Sequence, residues 1–73
     1  MRVILEDHIN GSFDGFEGNR IYQLTNGQTW VQIDTKCQPQ YHYMPKVSIS
    51  EDEGSFFMEV EGLNDSVRVQ RIY

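Results

Sequence analysis

The sequence lacks several features, and each absence excludes some of the structures or functions that the protein could have. Among its 73 residues it contains no alanine and a single cysteine, Cys37. One thiol cannot form an internal disulfide, and an unpaired cysteine is typical of a reducing compartment. The apolar run Val3–Leu5 ends at Glu6, so it is too short for a signal peptide or a membrane span. We therefore expect a cytoplasmic protein without a membrane segment.

Basic residues are also scarce. Six lysines and arginines stand against eleven acidic residues, which gives a net charge of −5. Nucleic acids and anionic membranes recruit proteins through positive surfaces. The nearest approach to a basic run is the pair Arg68 and Arg71. The charge balance disfavours both kinds of partner and leaves a protein, including a second copy in a homodimer, as the expected one.

Helical periodicity is missing as well. No apolar stripe recurs at i, i+3, i+4 and i+7, whereas aromatic and β-branched residues alternate with polar ones between Gly, Asn and Asp. A chain of this length holds one domain, residues 1–73, and one core. We expect an all-β fold, a small SH3-like, partly open barrel of five or six antiparallel strands in a meander. A five-stranded OB-type barrel is the alternative, although no helix is indicated between strands.

What the chain does contain is a strong hairpin signal at Asn26-Gly27. A two-residue turn would pair Leu24 with Thr29 and place Trp30 on the face opposite Leu24. A three-residue loop with Gly27 in the left-handed region instead pairs Tyr22 with Trp30. Because a small domain must bury its largest apolar side chains, we favour the second register, in which Trp30 is a core residue.

The remaining strands follow from the spacing of apolar residues. The segment 12–19 is interpreted as a loop, and 34–42 as irregular, with a strand beginning near Tyr43. A hairpin loop at 51–54 would pair Ile49 with Phe56 and Val47 with Met58, and the next turn would pair Val60 with Val67. Twelve side chains are predicted to form the core: Phe13, Phe16, Tyr22, Leu24, Trp30, Val47, Ile49, Phe56, Met58, Val60, Val67 and Val69.

Three long motifs resemble those of a family of short bacterial proteins and domains. They are GSFDGFEGNRIYQLTNGQTWVQ, then YHYMPKVSI, then VEGLNDSVRVQRI. The resemblance covers most of the chain, from Ile9 to Ile72. The resemblance implies a small β-barrel-like domain, in some proteins attached to other domains. No activity is assigned to the family, so it implies no catalytic residue. Phe16 occupies a position where the family pattern has Trp.

The sequence contains few residues that are candidates for catalysis or metal binding. Zinc sites need three or four ligands, and His8, Cys37 and His42 lack a convincing spacing. Cys37 and His42 have no orienting partner that would make them a nucleophile and base. The acidic run 51–53 is interpreted as a solvated turn. We therefore predict no enzyme activity, no metal and no cofactor.

Two groups of residues are candidates for binding. Tyr41 and Tyr43, beside a proline-containing segment, are typical of a surface that stacks bases or grips a peptide. In the favoured hairpin register Ile21, Val31 and Ile33 point away from the core, and exposed apolar clusters of this kind mark interfaces. We expect a non-catalytic protein-interaction module that self-associates. The alternative is a regulatory single-stranded nucleic-acid-binding domain that uses Tyr41, Tyr43, Arg68 and Arg71.

Overall fold

A computed structural model describes all 73 residues, and it is all-β without a helix. Eight antiparallel strands are present rather than the five or six expected. They are β1 (Arg2–His8), β2 (Ser12–Phe16), β3 (Ile21–Gln23), β4 (Thr29–Gln32), β5 (Gln38–Tyr43), β6 (Lys46–Asp52), β7 (Ser55–Val60) and β8 (Ser66–Arg71).

The strands form two sheets. Six pair in the order β1-β6-β7-β8-β4-β3, and β2 pairs with β5 in a separate two-stranded ribbon. The large sheet is not a simple meander, because β4 reaches β8 across the chain. Its two edge strands meet at one end, where Ile9 bridges to Leu24 and the Asn10 N–H donates to the Gln23 carbonyl at 2.8 Å. The sheet therefore curls without closing along its length.

The register of the Asn-Gly hairpin is confirmed. Tyr22 pairs with Trp30, and the Leu24 N–H donates to the Gln28 carbonyl at 2.9 Å. Gly27 has φ 92° and its N–H donates back to the Leu24 carbonyl at 3.1 Å. This is the three-residue loop with a bulged glycine, and it buries Trp30 with 3% of its surface exposed.

The predicted registers of the next two hairpins are wrong by two residues. Ile49 pairs with Met58 and Val47 with Val60, because the turn contains only Glu53 and Gly54, both at positive φ as in a type I′ turn. An even shift leaves every side chain on its predicted face.

The following turn is longer than predicted. Met58, rather than Val60, therefore pairs with Val67. Leu63 in this turn packs against the core, and its N–H donates to the Val60 carbonyl at 3.0 Å. The turn therefore contributes a partly buried apolar side chain to the core.

The ribbon β2–β5 corrects the interpretation of 12–19 as a loop and of 34–42 as irregular. Gly15 and Pro39 suggested breaks, yet they are partners within the ribbon. A Cβ on Gly15 would lie 2.2 Å from the Gln38 carbonyl oxygen, so the glycine allows the two backbones to approach closely. Met44, at φ 50°, and the buried Pro45 then separate β5 from β6.

The core lies inside the curled sheet, and the ribbon covers one side of it. Eleven of the twelve predicted core side chains are buried, while Phe56 is half-buried and packs against the others. Ile9 is an additional buried member. The ring of Phe13 lies 5.8 Å from those of Phe16 and Tyr22, which joins the ribbon to the large sheet.

Candidate functional site

The side of the large sheet that faces away from the core carries a cross-strand row in which apolar residues alternate with Ser50 and Arg68. Val3 pairs with Ser50, Ser50 with Phe57, and Phe57 with Arg68. Cross-strand partners project from the same face, and the Ile33 N–H donates to the Arg68 carbonyl at 2.9 Å, which extends the row to Ile33. We call this side of the sheet the outer face.

Ile21 and Val31 belong to the outer face as well. They are cross-strand partners on β3 and β4, beside the row. The exposed fractions are 59% for Ile21, 45% for Ile33 and 55% for Val3, whereas Val31 and Phe57 are half-buried. The outer face therefore presents five apolar side chains to solvent.

A bulge in β1 explains why Val3 joins this surface. The pairing with β6 shifts between Val3 and Leu5, so these two residues face opposite sides despite their even spacing. Leu5 packs against the core, while Val3 lies outside. Regular alternation along a strand would place both on one face, so the sequence alone could not indicate this reversal.

Two opposite charges on the outer face have no ionic partner. Arg68 donates to the Ser55 hydroxyl at 3.1 Å, and Glu59 lies two residues beyond Phe57 on the same face of β7. Neither takes part in any of the three ion pairs of the structure. Both charges are therefore free to pair with groups on a bound molecule.

Tyr41 and Tyr43 lie on the solvent side of the ribbon, with 65% and 70% of their surfaces exposed. The intervening His42 points the other way, where its Nε2 lies 2.9 Å from the amide nitrogen of Gln40. Neither ribbon strand contains a lysine or arginine, and Asp14 is its only charged residue. The tyrosines therefore form an aromatic surface without nearby positive charge on their own strands.

The four residues of the nucleic-acid hypothesis do not share one surface. Arg68 projects from the outer face of β8, whereas Arg71, three residues later, pairs with Trp30 and projects from the core side. The tyrosines lie on the separate ribbon. The spacing of Arg68 and Arg71 places them on opposite faces of one strand, which sequence proximity alone did not reveal.

A polar network missed by sequence reasoning centres on the buried Gln32. Its Oε1 accepts from the Tyr22 hydroxyl at 2.6 Å and from the Glu17 N–H at 3.0 Å. Its Nε2 donates to Asp34 Oδ1 at 2.8 Å and to the Lys36 carbonyl at 2.7 Å. Burial raises the pKa of Tyr22, which favours the protonated, donating hydroxyl. With every amide hydrogen bond satisfied internally, this network holds two loops in place and offers no group to a ligand.

No three His, Cys, Asp or Glu side chains come together as a metal site. His8 and His42 lie on β1 and β5, and Cys37 is exposed just before β5. The structure contains no helix that could cross a membrane. Comparison of the chain with protein-family models, curated proteins and solved structures finds no match. Functional inference therefore depends on the surfaces described above.

Proposed function

We propose that this protein is a non-catalytic protein-interaction domain that binds through its outer face. The observation that carries the proposal is the set of five apolar side chains on the outer face, Val3, Ile21, Val31, Ile33 and Phe57, of which three are at least 45% exposed. Apolar side chains that remain accessible on several adjacent strands are a feature of protein interfaces. The unpaired Cys37 supports a cytoplasmic location.

The partner that fits this face best is a second copy of the chain. Arg68 and Glu59 are opposite charges without ionic partners, and both flank Phe57 on the outer face. In a two-fold dimer each surface contacts the same surface of the other copy. A face that carries both a positive and a negative charge can therefore form ion pairs with its own copy. Consider a two-fold axis that lies in the plane of the outer face, passes Phe57 and runs diagonally to the strands. It would bring Arg68 of one copy to Glu59 of the other, and the strands of the two copies would cross near 90°.

The SH3-like, partly open barrel is part of this proposal. The curl of the sheet and the meeting of its edges at Ile9 and Leu24 support it. A curled sheet turns the convex outer face towards a partner, while the concave face is filled by the core.

The decisive experiment measures molecular mass by light scattering over a range of concentrations. We expect the wild-type protein to reach the mass of a dimer and Ile21→Asp to remain a monomer. The matched control is Tyr41→Asp, which places the same charge at a similarly exposed residue on the ribbon and should still dimerise. Circular dichroism checks that all three proteins fold. Equal masses for Ile21→Asp and wild type at every concentration would contradict self-association through this face.

A second candidate function, binding of single-stranded nucleic acid, is favoured by one observation. Tyr41 and Tyr43 are exposed at alternate positions of a strand, a spacing at which successive bases can stack. The net charge of −5 and the absence of basic residues on the ribbon oppose it. Titration with oligo-dT at low salt tests it: binding that weakens with added salt and with Tyr41→Ala would support this function, and no binding would exclude it.

A further inference from the structure

A small cleft opens at one end of the core side of the large sheet, between β1 and the ends of β4, β7 and β8. Its volume is about 230 Å³, and six residues line it: Ile4, Leu5, Gln28, Trp30, Phe56 and Arg71. Trp30 and Phe56 pack edge to face, with ring centres 5.6 Å apart and planes at 65°. Ile4 is 44% exposed at the rim, so the cleft has accessible apolar walls.

The cleft contains one charge, the guanidinium of Arg71. Arg71 is the cross-strand partner of Trp30 and therefore projects from the same side of the sheet. Its side chain makes no hydrogen bond and none of the three ion pairs of the structure, although the chain has eleven carboxylate side chains. A protein with a net charge of −5 thus presents an unpaired positive group beside apolar walls.

A second donor lies beside Arg71. Gln28 Oε1 accepts a hydrogen bond from the Trp30 indole N–H at 3.2 Å. The Gln28 Nε2 makes no hydrogen bond within the structure, so it is free to donate. The indole N–H donates to Gln28 in this bond, so it orients the Gln28 side chain and is not available to a ligand. Two side chains with unused donors, Arg71 and Gln28, therefore line the cleft.

We propose that this cleft binds a carboxylate attached to a single apolar group about the size of one amino-acid side chain. Arg71 and the Gln28 amide hold the carboxylate, since guanidinium and carboxylate form strong, directional hydrogen bonds. Trp30, Phe56 and Leu5 contact the apolar group. The volume is below the ~300–1,000 Å³ of pockets for drug-sized ligands, which limits the ligand to one such group.

Two sources can supply this chemistry, a peptide C-terminus or a small free acid. Trp30 is the only tryptophan, so its fluorescence reports on the cleft directly. The probes are 4-methylpentanoate and acetyl-Gly-Gly-Leu with a free carboxylate, each compared with its amide. We expect both acids to change Trp30 fluorescence and the amides to bind about tenfold more weakly or worse. Tighter binding of the peptide than of the free acid identifies a C-terminus as the ligand, and equal binding identifies the small acid.

Arg71→Gln and Arg68→Gln form a matched pair, because both remove one exposed arginine from β8 but from opposite faces. We expect Arg71→Gln to weaken acid binding about tenfold and Arg68→Gln to leave it unchanged. Equal binding of acid and amide, an equal effect of the two substitutions, or no spectral change at millimolar probe would overturn the proposal. The Ile21→Asp variant should keep this binding, so failure here is distinguishable from failure of the outer-face interface.

Discussion

At the scale of single residues, Gln32 shows how a fully buried polar side chain can belong to this core. It is 0% exposed, yet all its amide hydrogen-bonding groups have partners. A buried polar group costs free energy only where its hydrogen bonds are missing. Its backbone is engaged as well, since the Asn19 N–H donates to the Gln32 carbonyl at 3.0 Å. Gln32 therefore connects the turn before β3 to the loop after β4.

We predict that Gln32→Leu lowers the free energy of unfolding by about 2–3 kcal/mol, because it leaves the buried Tyr22 hydroxyl without an acceptor and the Glu17 N–H with only its longer bond to the Tyr22 oxygen at 3.3 Å. Tyr22→Phe removes only one hydroxyl and should cost about 1 kcal/mol. Gln23→Leu, at an exposed residue of β3, is the control and should change little. Urea unfolding followed by Trp30 fluorescence measures all three. Equal costs for Gln32→Leu and Gln23→Leu would contradict the role assigned to the network.

Asp7 makes stability depend on pH in the acid range. Its carboxylate accepts hydrogen bonds from the Thr25 hydroxyl and from the backbone N–H groups of Asn26 and His8, at 2.9 and 2.8 Å. These bonds, that of Thr25 above all, hold the pKa of Asp7 below its usual value. A lowered folded-state pKa gives stability that is present above the unfolded value of about 3.9 and is lost as the pH falls through the folded value.

We therefore predict that Asp7→Asn lowers Tm at pH 7 and that the difference from wild type shrinks below about pH 4. Thermal melts between pH 7 and pH 2 measure this effect. Asp52→Asn removes an exposed carboxylate that has no hydrogen-bond partner, and it should shift Tm little at any pH. A Tm difference for Asp7→Asn that stays constant across the range would mean that the carboxylate bonds to the 25–26 turn do not stabilise the fold.

At the scale of elements, the sequence predicts which face a residue takes better than which residue it pairs with. The hairpin at Asn26-Gly27 was predictable because the large side chains of one strand fit only one of two registers. At Glu53-Gly54 both the predicted and the actual registers bury the same residues, so periodicity could not choose between them. The strands β2 and β5 were missed because Gly15 and Pro39 are usually turn residues. In this ribbon the backbones of β2 and β5 approach closely, and this approach requires a glycine at Gly15.

The close approach at Gly15 leads to a prediction with a built-in control. Gly15 and Gly54 have φ values of 110° and 86°, so alanine is strained at both. Only at Gly15 would the new Cβ also meet backbone, 2.2 Å from the Gln38 oxygen, whereas Gly54 has open space. We expect Gly54→Ala to cost about 1–2 kcal/mol and remain folded. Gly15→Ala should exceed the ~3–5 kcal/mol available to a domain of this size and unfold it.

Circular dichroism and an amide NMR spectrum distinguish these outcomes. A well-dispersed spectrum for Gly15→Ala with stability equal to Gly54→Ala would show that β2 and β5 do not pack as described. Both variants place alanine at a positive φ, and only Gly15→Ala adds a contact with the facing backbone.

At the scale of the whole molecule, the outer face could be anticipated but the carboxylate cleft could not. Ile21, Val31 and Ile33 follow from one local hairpin register and the alternation of a strand. The cleft depends on the pairing of Trp30 with Arg71, which joins residues on β4 and β8, and on Phe56 from a third strand. No local pattern specifies such long-range pairings. The same long-range packing joins the ribbon to the large sheet through Phe13, Phe16 and Tyr22.

One shared core implies that the two sheets unfold together. Phe13, 2% exposed on the ribbon, packs against Tyr22 of the large sheet, so weakening this contact should destabilise both sheets equally. We predict that Phe13→Leu lowers the free energy of unfolding by about 1–2 kcal/mol, whether it is measured by Trp30 fluorescence in the large sheet or by amide exchange in β5. Tyr41→Leu, on the solvent side of the same ribbon, should leave both signals unchanged. If Phe13→Leu accelerated exchange in β5 while the Trp30 transition stayed at its wild-type midpoint, the ribbon would be an independently opening unit. The contact between Phe13 and Tyr22 would then not link the stability of the two sheets.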